Sequence, residues 1–315
     1  MRRLAPSAAV TILTIFAGLA ALVLGGACGR DEPRREAPAG APAPVATVVT
    51  LMPSGTEVVA ALGAAGLLIG VDTYSEYPPE VKRLPKVGTF LAPNVEAIVR
   101  LRPSLVVVDD VHAPAAGALR DAGIETVACP LHALPDVRHA LRAVGARLGK
   151  AAEAERVIHE IDAALDAAAA KRPARRPRVL AVIDREAGGL GSLVAAGPGS
   201  WIDELLAVVG GDNVMQASGV RYPKISLEEV LRGQPDVILD LSYAAHEAAM
   251  AAGSAAAPAG SAAAPAGSLL GTWRAVDVPA TRTGRVVELH RPYLVAPSPR
   301  VTQALADLAR AITPP

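Results

Sequence analysis

Aromatic residues are scarce in this chain, with two Phe, two Trp and five Tyr among 315 residues. A core of ordinary size must then be built from Ala, Val and Leu, and the few rings carry information by where they sit. Neither charge is in excess: 31 Lys+Arg stand against 31 Asp+Glu, so the electrostatic footprint of a nucleic-acid binder is missing. There is no P-loop, no GxGxxG opening a helix and no GxSxG. GPGS at 197–200 reads as a turn before a helix, not as a nucleophile elbow. Six histidines, at 112, 132, 139, 159, 246 and 290, form no close HxH or HxxxH pair, and three converging imidazoles are not expected. Asp72, Asp109, Asp110 and Asp184 stand at expected strand ends, where α/β folds place chemistry. Turn and cap roles account for them, and no enzyme is expected.

What is present is a duplication. NVEAIVRLRPSLVVV (Asn94 to Val108) and SLEEVLRGQPDVILD (Ser226 to Asp240) are near-copies 132 positions apart. Asn94 matches Ser226, Glu96 matches Glu228, Arg100 matches Arg232 and Pro103 matches Pro235. Each copy reads as a helix N-cap, then a glutamate where the helix dipole favours it, two helical turns, a terminating proline and an apolar strand. One unit used twice implies two similar lobes, each presenting a carboxylate at an equivalent exposed helix start. Such a pair suits docking on a two-fold partner.

The N-terminus reads as an export signal. Arg2 and Arg3 precede an apolar run from about Ala8 to Ala27 that ends LGGAC, with Cys28 last. The small residues before Cys28 resemble the lipobox of bacterial lipoproteins, which implies lipidation of Cys28 over residues 1–28 and a membrane anchor. Residues 29–46, GRDEPRREAPAGAPAPVA, are charged and then Pro/Ala-rich, a composition expected to form a disordered tether. With Cys28 used in this way, Cys129 in ETVACP has no partner, so a structural disulfide is not expected and Cys129 reads as a small buried hydrophobe.

Past the tether, strand-like and helical segments alternate, which argues for parallel α/β layering. The expected divisions are an N-terminal lobe at 47–135, a connecting helix at 136–172 and a C-terminal lobe at 173–315. Val137, Leu141, Val144, Leu148, Ile158, Ile161 and Leu165 fall at helical spacing, predicting one rigid helix of roughly 35 residues and about 50 Å. Residues 244–268 repeat GSAAAPA and read as a low-complexity surface insertion without assigned function.

Five motifs in order resemble the solute-binding proteins of the iron-complex and cobalamin class of ABC importers. They are TLMPSGTEVVAALG, IGVDTYSEYPPEVKRLPKVG, NVEAIVRLRPSLVVV, AGPGSWIDELLAVVGGDNV and RYPKISLEEVLRGQPDVIL, followed more loosely by SPR at Ser298 to Arg300. The resemblance implies two Rossmann-like lobes joined by a long rigid helix, with ligand in the cleft between them. It also implies that Glu96 and Glu228 dock on an ABC permease dimer served by its ATPase subunits, from an extracytoplasmic, lipid-anchored position.

For the ligand, the resemblance is to the cobalamin branch, which lines its cleft with aromatics. Tyr74, Phe90, Tyr222 and Tyr293 occupy loop positions at strand ends, good walls for a large planar ligand. Tyr77, directly before Pro78, reads as structural. Heme binders of this class place a tyrosine ligand where this chain has Phe90, which counts against heme, and a cobalamin-branch tryptophan is replaced by Asp109 or a neighbour. A ferric siderophore is the alternative, since Arg185, Arg221 and Arg291 lie in loops that could face the cleft. The expected cargo is therefore a corrinoid, with a ferric complex second and a heme or metal ion behind both; no resident cofactor is expected.

Overall fold

The computed structural model describes residues 44–186, 189–242 and 269–313. Cys28, nearly all of the tether and the insertion at 244–268 lie outside the described residues.

The first sheet contains β1 (Val48–Thr50), β2 (Leu68–Val71), β3 (Leu105–Val108) and β4 (Glu125–Ala128), in the order β2-β1-β3-β4 and all parallel. Its two central strands, VVT and LVVV, are buried along their whole length. Continuous burial of β-branched residues is what a parallel sheet covered on both faces requires. The crossovers are α1 (Pro53–Ala61), α2 (Val95–Leu101) and α3 (Ala113–Asp121).

A second sheet begins after two further helices, α4 (Leu134–Arg147) and α5 (Ala151–Ala169). Its strands are β5 (Arg178–Asp184), β6 (Leu193–Ala195), β7 (Asp212–Asn213), β8 (Lys224–Ile225), β9 (Val237–Asp240) and β10 (Val286–Glu288). The order is β10-β9-β5-β6-β8, with β7 also pairing β5. β10, β9, β5 and β7 run parallel, whereas β6 is antiparallel to both β5 and β8. Around this sheet lie α6 (Trp201–Val209), α7 (Leu227–Gly233), α8 (Leu269–Trp273), α9 (Pro279–Arg282), α10 (Pro292–Val295) and α11 (Val301–Ile312). The architecture is α/β in two lobes, each built on its own sheet. The stretch after Asp184 contributes β6, a strand of three residues that follows a glycine-rich run.

The single long helix is corrected. The expected connector is two helices, and Gly149 is the reason. It sits at φ +67°, just past the end of α4, where a side chain would be strained. Lys150 N–H donates to Gly145 O at 2.7 Å and Gly149 N–H to Ala146 O at 3.4 Å, the paired bonds of a Schellman stop. The chain then reverses. Arg138 pairs with Asp162 and Arg142 with Glu155 across the two helices, so α4 and α5 pack as an antiparallel hairpin. Gly145 permits the close approach, because a Cβ there would meet the Ala154 Cβ at 2.9 Å. α4 packs on α1 of the first lobe, and α5 on α6 and α11 of the second. One apolar core runs through the hairpin, from Val48 and Leu105 by way of Leu141 and Ile161 to Leu205 and Leu239.

The duplicated units adopt the same local structure. Asn94 caps α2 by accepting from Ala97 N–H, and Ser226 caps α7 by accepting from Glu229 N–H. Both helices end on a residue in the left-handed region, Arg102 at φ 50° and Gln234 at φ 41°. Among the described residues these are the only non-glycines with positive φ, and they are 132 positions apart. The proline that follows each disfavours the helical conformation there, so the helix must stop at that residue. Glu96 and Glu228 are exposed at the second position of their helices.

Candidate functional site

Parallel strands send their carboxyl ends to one side of each sheet, and the loops that leave there meet between the lobes. On the first lobe, the loop after β2 is shaped by a buried polar chain. Thr50 and Thr56 hydroxyls are 2.5 Å apart, Thr56 and Ser75 hydroxyls 2.7 Å, and the Ser75 hydroxyl donates to Asp72. Asp72 also accepts Tyr74 N–H at 2.8 Å, while Lys86 Nζ donates to the Ser75 carbonyl at 2.8 Å. Burial pushes the Asp72 carboxyl above the usual aspartate range, against the lowering effect of these donors. The result is a fixed loop that displays Tyr74 and Tyr77.

Across from this loop stands Arg300. Glu57 of α1 is 6% exposed and accepts a fork from its guanidinium, Nε to Oε2 at 2.9 Å and Nη2 to Oε1. Ser298 Oγ also donates to Glu57, and Arg300 N–H donates to Ser298 Oγ at 3.1 Å. The guanidinium carbon lies 4.2 Å from the Tyr77 ring centroid and 4.5 Å from that of Tyr293. One cation therefore ties the two lobes through the Glu57 carboxylate and the Tyr77 ring. Over it opens a cavity of about 190 Å³ lined by Pro53, Glu57, Tyr74, Glu76, Tyr77, Pro292 and Arg300.

The four rings singled out in the sequence are not gathered in this cavity. Tyr74, 62% exposed, lines it. Tyr293 is buried beside it: its hydroxyl donates to Asp307 at 2.6 Å, and its carbonyl accepts the Trp201 indole N–H at 3.0 Å. Burial, with Asp307, raises its phenol. Phe90 lines a separate cavity of about 360 Å³ beside α2 and α3, with Leu91, Val95, Val111 and His112. There the His112 Nδ1 accepts Asp109 N–H, so its Nε2 carries the proton and donates to the Phe90 carbonyl at 2.6 Å. Tyr222, 41% exposed, stands near Arg221 and Glu204, its phenol raised mainly by burial.

Charge in this region is largely paired. Arg185 is held by Asp240 at 2.6 Å with both side chains buried, and Arg291 lies 3.8 Å from Asp307. A second junction joins the lobes where Leu134 N–H, opening α4, donates to Glu204 Oε2 of α6 at 2.5 Å. Next to it, His132 Nε2 lies 3.2 Å from Asp110 Oδ1. Tyr77, Glu57 and His132 were not singled out in the sequence as site residues, and Arg300 only as part of SPR. Glu57 and Arg300 are 243 positions apart, so only the folded chain reveals their pairing; the SPR tripeptide was the available signal.

A family model described as periplasmic binding protein matches residues 48–293. This chain belongs to the periplasmic binding protein family. The family is one of binding proteins of transport, not of enzymes. Among relatives, it is 24% identical over 272 residues to a vitamin B12-binding protein of Vibrio cholerae serotype O1, covering 85% of this chain and 89% of the relative. It is 31% identical over 197 residues to the vitamin B12-binding protein of Salmonella choleraesuis, covering 61% and 71%. Among solved structures, the periplasmic heme-binding protein RhuT from Roseiflexus sp. RS-1, in apo form, superposes with a TM-score of 0.70 at 29% identity, covering 85% of this chain and 98% of that one. The vitamin B12 binding protein BtuF of Vibrio cholerae shares the fold, with a TM-score of 0.66 at 23% identity over 85% and 97% of the two chains. No helix among the described residues is long and apolar enough to cross a membrane.

Proposed function

We propose that this periplasmic binding protein captures a corrinoid in the cleft between its lobes and hands it to an ABC permease. The observation that carries the reading is the cavity at the cleft floor, where Tyr74 and Tyr77 present ring surface while the Arg300 charge is spent on Glu57. The Tyr74 and Tyr77 faces suit a large, flat ligand, and the Glu57 and Glu76 carboxylates beside them are countered by Arg300 and Lys82. An anionic siderophore would need free cations; Arg185, Arg291 and Arg300 are each engaged by a carboxylate, which leaves Arg221, exposed and without an ion pair among the described residues, as the one arginine of that alternative still available. The cavity, at about 190 Å³, is smaller than the roughly 300–1,000 Å³ typical of ligand pockets. It would grip one edge of a macrocycle whose bulk fills the open cleft above. The B12-binding relatives support the same choice.

Heme is the second reading, favoured by the 29% identity to a heme-binding structure. Titration of the purified protein with cobalamin, cobinamide, heme and ferric siderophores separates the two. The corrinoid reading requires saturable binding of cobalamin or cobinamide; tight binding of heme or a siderophore with none of either corrinoid would refute it and leave the transport role in place.

Docking and anchoring complete the proposal. Glu96 and Glu228, alike in cap, exposure and place in their lobes, would meet basic side chains on the two halves of the permease, setting orientation and on-rate more than affinity. Cys28 would carry the lipid that holds the protein at the extracytoplasmic face. Absence of label after feeding a fatty-acid analogue would remove the anchor.

A further inference from the structure

The carboxyl edge of the first sheet carries donors that the ligand reading does not use. β3 and β4 lie side by side and parallel, with Val108 opposite Ala128, so the residues after each strand leave from the same edge. Asp109 and Asp110 follow β3, and His132 stands just past β4. His132 Nε2 lies 3.2 Å from Asp110 Oδ1 and 3.9 Å from Asp109 Oδ1. One donor atom from each of the three side chains falls within 4.8 Å of the others.

The group is built rather than incidental. Asp109 is 3% exposed, and its two oxygens accept Val111 N–H and Leu131 N–H, both at 3.3 Å. Asp136 pins the backbone at His132 by accepting its N–H at 3.0 Å and that of Ala133 at 2.9 Å. The His132 and Asp110 side chains are 37% and 61% exposed, so the group is open on one side. Among the described residues neither aspartate has a Lys or Arg partner; the one basic side chain within ion-pair distance is His132. His132 Nδ1 has no hydrogen-bond partner there either.

We propose that Asp109, Asp110 and His132 form a site for a transition-metal centre. Metal–donor bonds of about 2.0–2.2 Å put neighbouring donors roughly 3.0–3.5 Å apart, so the Asp110–His132 pair already has the spacing of a coordination shell. Asp109 Oδ1, 3.9 Å from His132 Nε2, would move inward to join it. Two carboxylates with a neutral imidazole balance a divalent ion, and the mixed oxygen and nitrogen set suits Zn2+, Co2+, Mn2+ or Fe2+ rather than a soft ion. Three protein donors leave further positions open. The metal can come as a free ion or as the centre of a bound complex, and only the second source rests on the ligand reading above. The neighbouring Leu134–Glu204 bond places the group at the junction of the lobes.

The test uses the full chain and Co2+, whose visible spectrum reports coordination. One saturable Co2+ per chain is expected, with affinity at least tenfold weaker in His132→Gln and in Asp110→Asn. Both side chains are more than a third exposed, so unchanged thermal melting is expected to show that the variants fold. Cobinamide and heme, each with an exchangeable axial position, test the second source by whether His132→Gln alters the spectrum of the bound complex. A Co2+ site weakened in the variants, or a His132-dependent spectrum, supports the assignment. Absence of both, or Co2+ binding unchanged in both variants with no His132-dependent spectrum, overturns it. Co2+ binding without any corrinoid or heme binding would keep this site and remove the ligand reading; corrinoid binding with no Co2+ site and no His132-dependent spectrum would keep the ligand reading and remove this site.

Discussion

At the scale of single residues, the contact between Glu57 and Arg300 has most at stake. Breaking a buried pair by removing one partner leaves a charge uncompensated and costs about 3–5 kcal/mol. Glu57→Ala should lower stability by about that amount in chemical denaturation, since Arg300 would face the Tyr77 and Tyr293 rings alone. Loss of less than about 1 kcal/mol would show that water compensates and that the clasp is not what ties the lobes. Cys129 makes a separate claim. Burial, with Asp109 adding to it, pushes its thiol up to about 12, so almost none is thiolate near neutral pH. Mass spectrometry should find Cys129 unlabelled by an alkylating reagent in the native protein and fully labelled after unfolding.

At the scale of elements, the turn at Gly149 decides how the lobes are joined. A Cβ at that position meets nothing within 4 Å, so Gly149→Ala should cost only the left-handed backbone penalty, about 1–2 kcal/mol. Gly149→Asn should cost less, and urea midpoints compare the two. The Leu134–Glu204 junction adds a pH dependence. Burial chiefly holds the Glu204 carboxyl above the ordinary 4.5; Leu134 N–H opposes it, and Asp136 and Asp203 add to it. A carboxyl raised by folding stabilises the fold fully below the ordinary value, and that contribution is lost as pH rises through the raised one. Glu204→Gln keeps an oxygen for Leu134 N–H and removes the ionisation. The variant should therefore gain on the parent protein as pH climbs through that window.

The same elements show what could be read in advance. The duplicated cap, glutamate and proline were legible because capping and chain reversal are local and depend on residue type. Helical periodicity in residues 136–172 was also real, but its phase breaks: at about 100° per residue, Ile158, Ile161 and Leu165 lie roughly a quarter-turn off the stripe of Val137, Leu141, Val144 and Leu148, and that break, with Gly149, marks the turn. The site was harder. Glu57 meets Arg300, and Asp110 meets His132, through pairings of strands and lobes that no local pattern encodes. Tyr74, singled out as a ring in a loop beside a strand end, lines the cavity. Phe90 carries the same local signature, yet its backbone is drawn to His112 beside α2 and α3.

At the scale of the whole molecule, the proposed docking uses two lobes with equal helix starts against a partner with two equivalent receiving sites. Changing Glu96 and Glu228 together to Ala should leave ligand affinity almost unchanged and strongly reduce uptake through the cognate permease, with each single change doing less. Normal uptake by the double variant would reduce both glutamates to helix-stabilising residues. Ligand capture at the cleft floor is the central claim. Its most direct measurement is calorimetric titration of the protein with cobinamide, run beside Tyr74→Ala. The account predicts one site per chain, weakened at least several-fold in the variant while thermal melting stays put. Cobinamide binding with equal affinity in both proteins, or no binding in either, would contradict it.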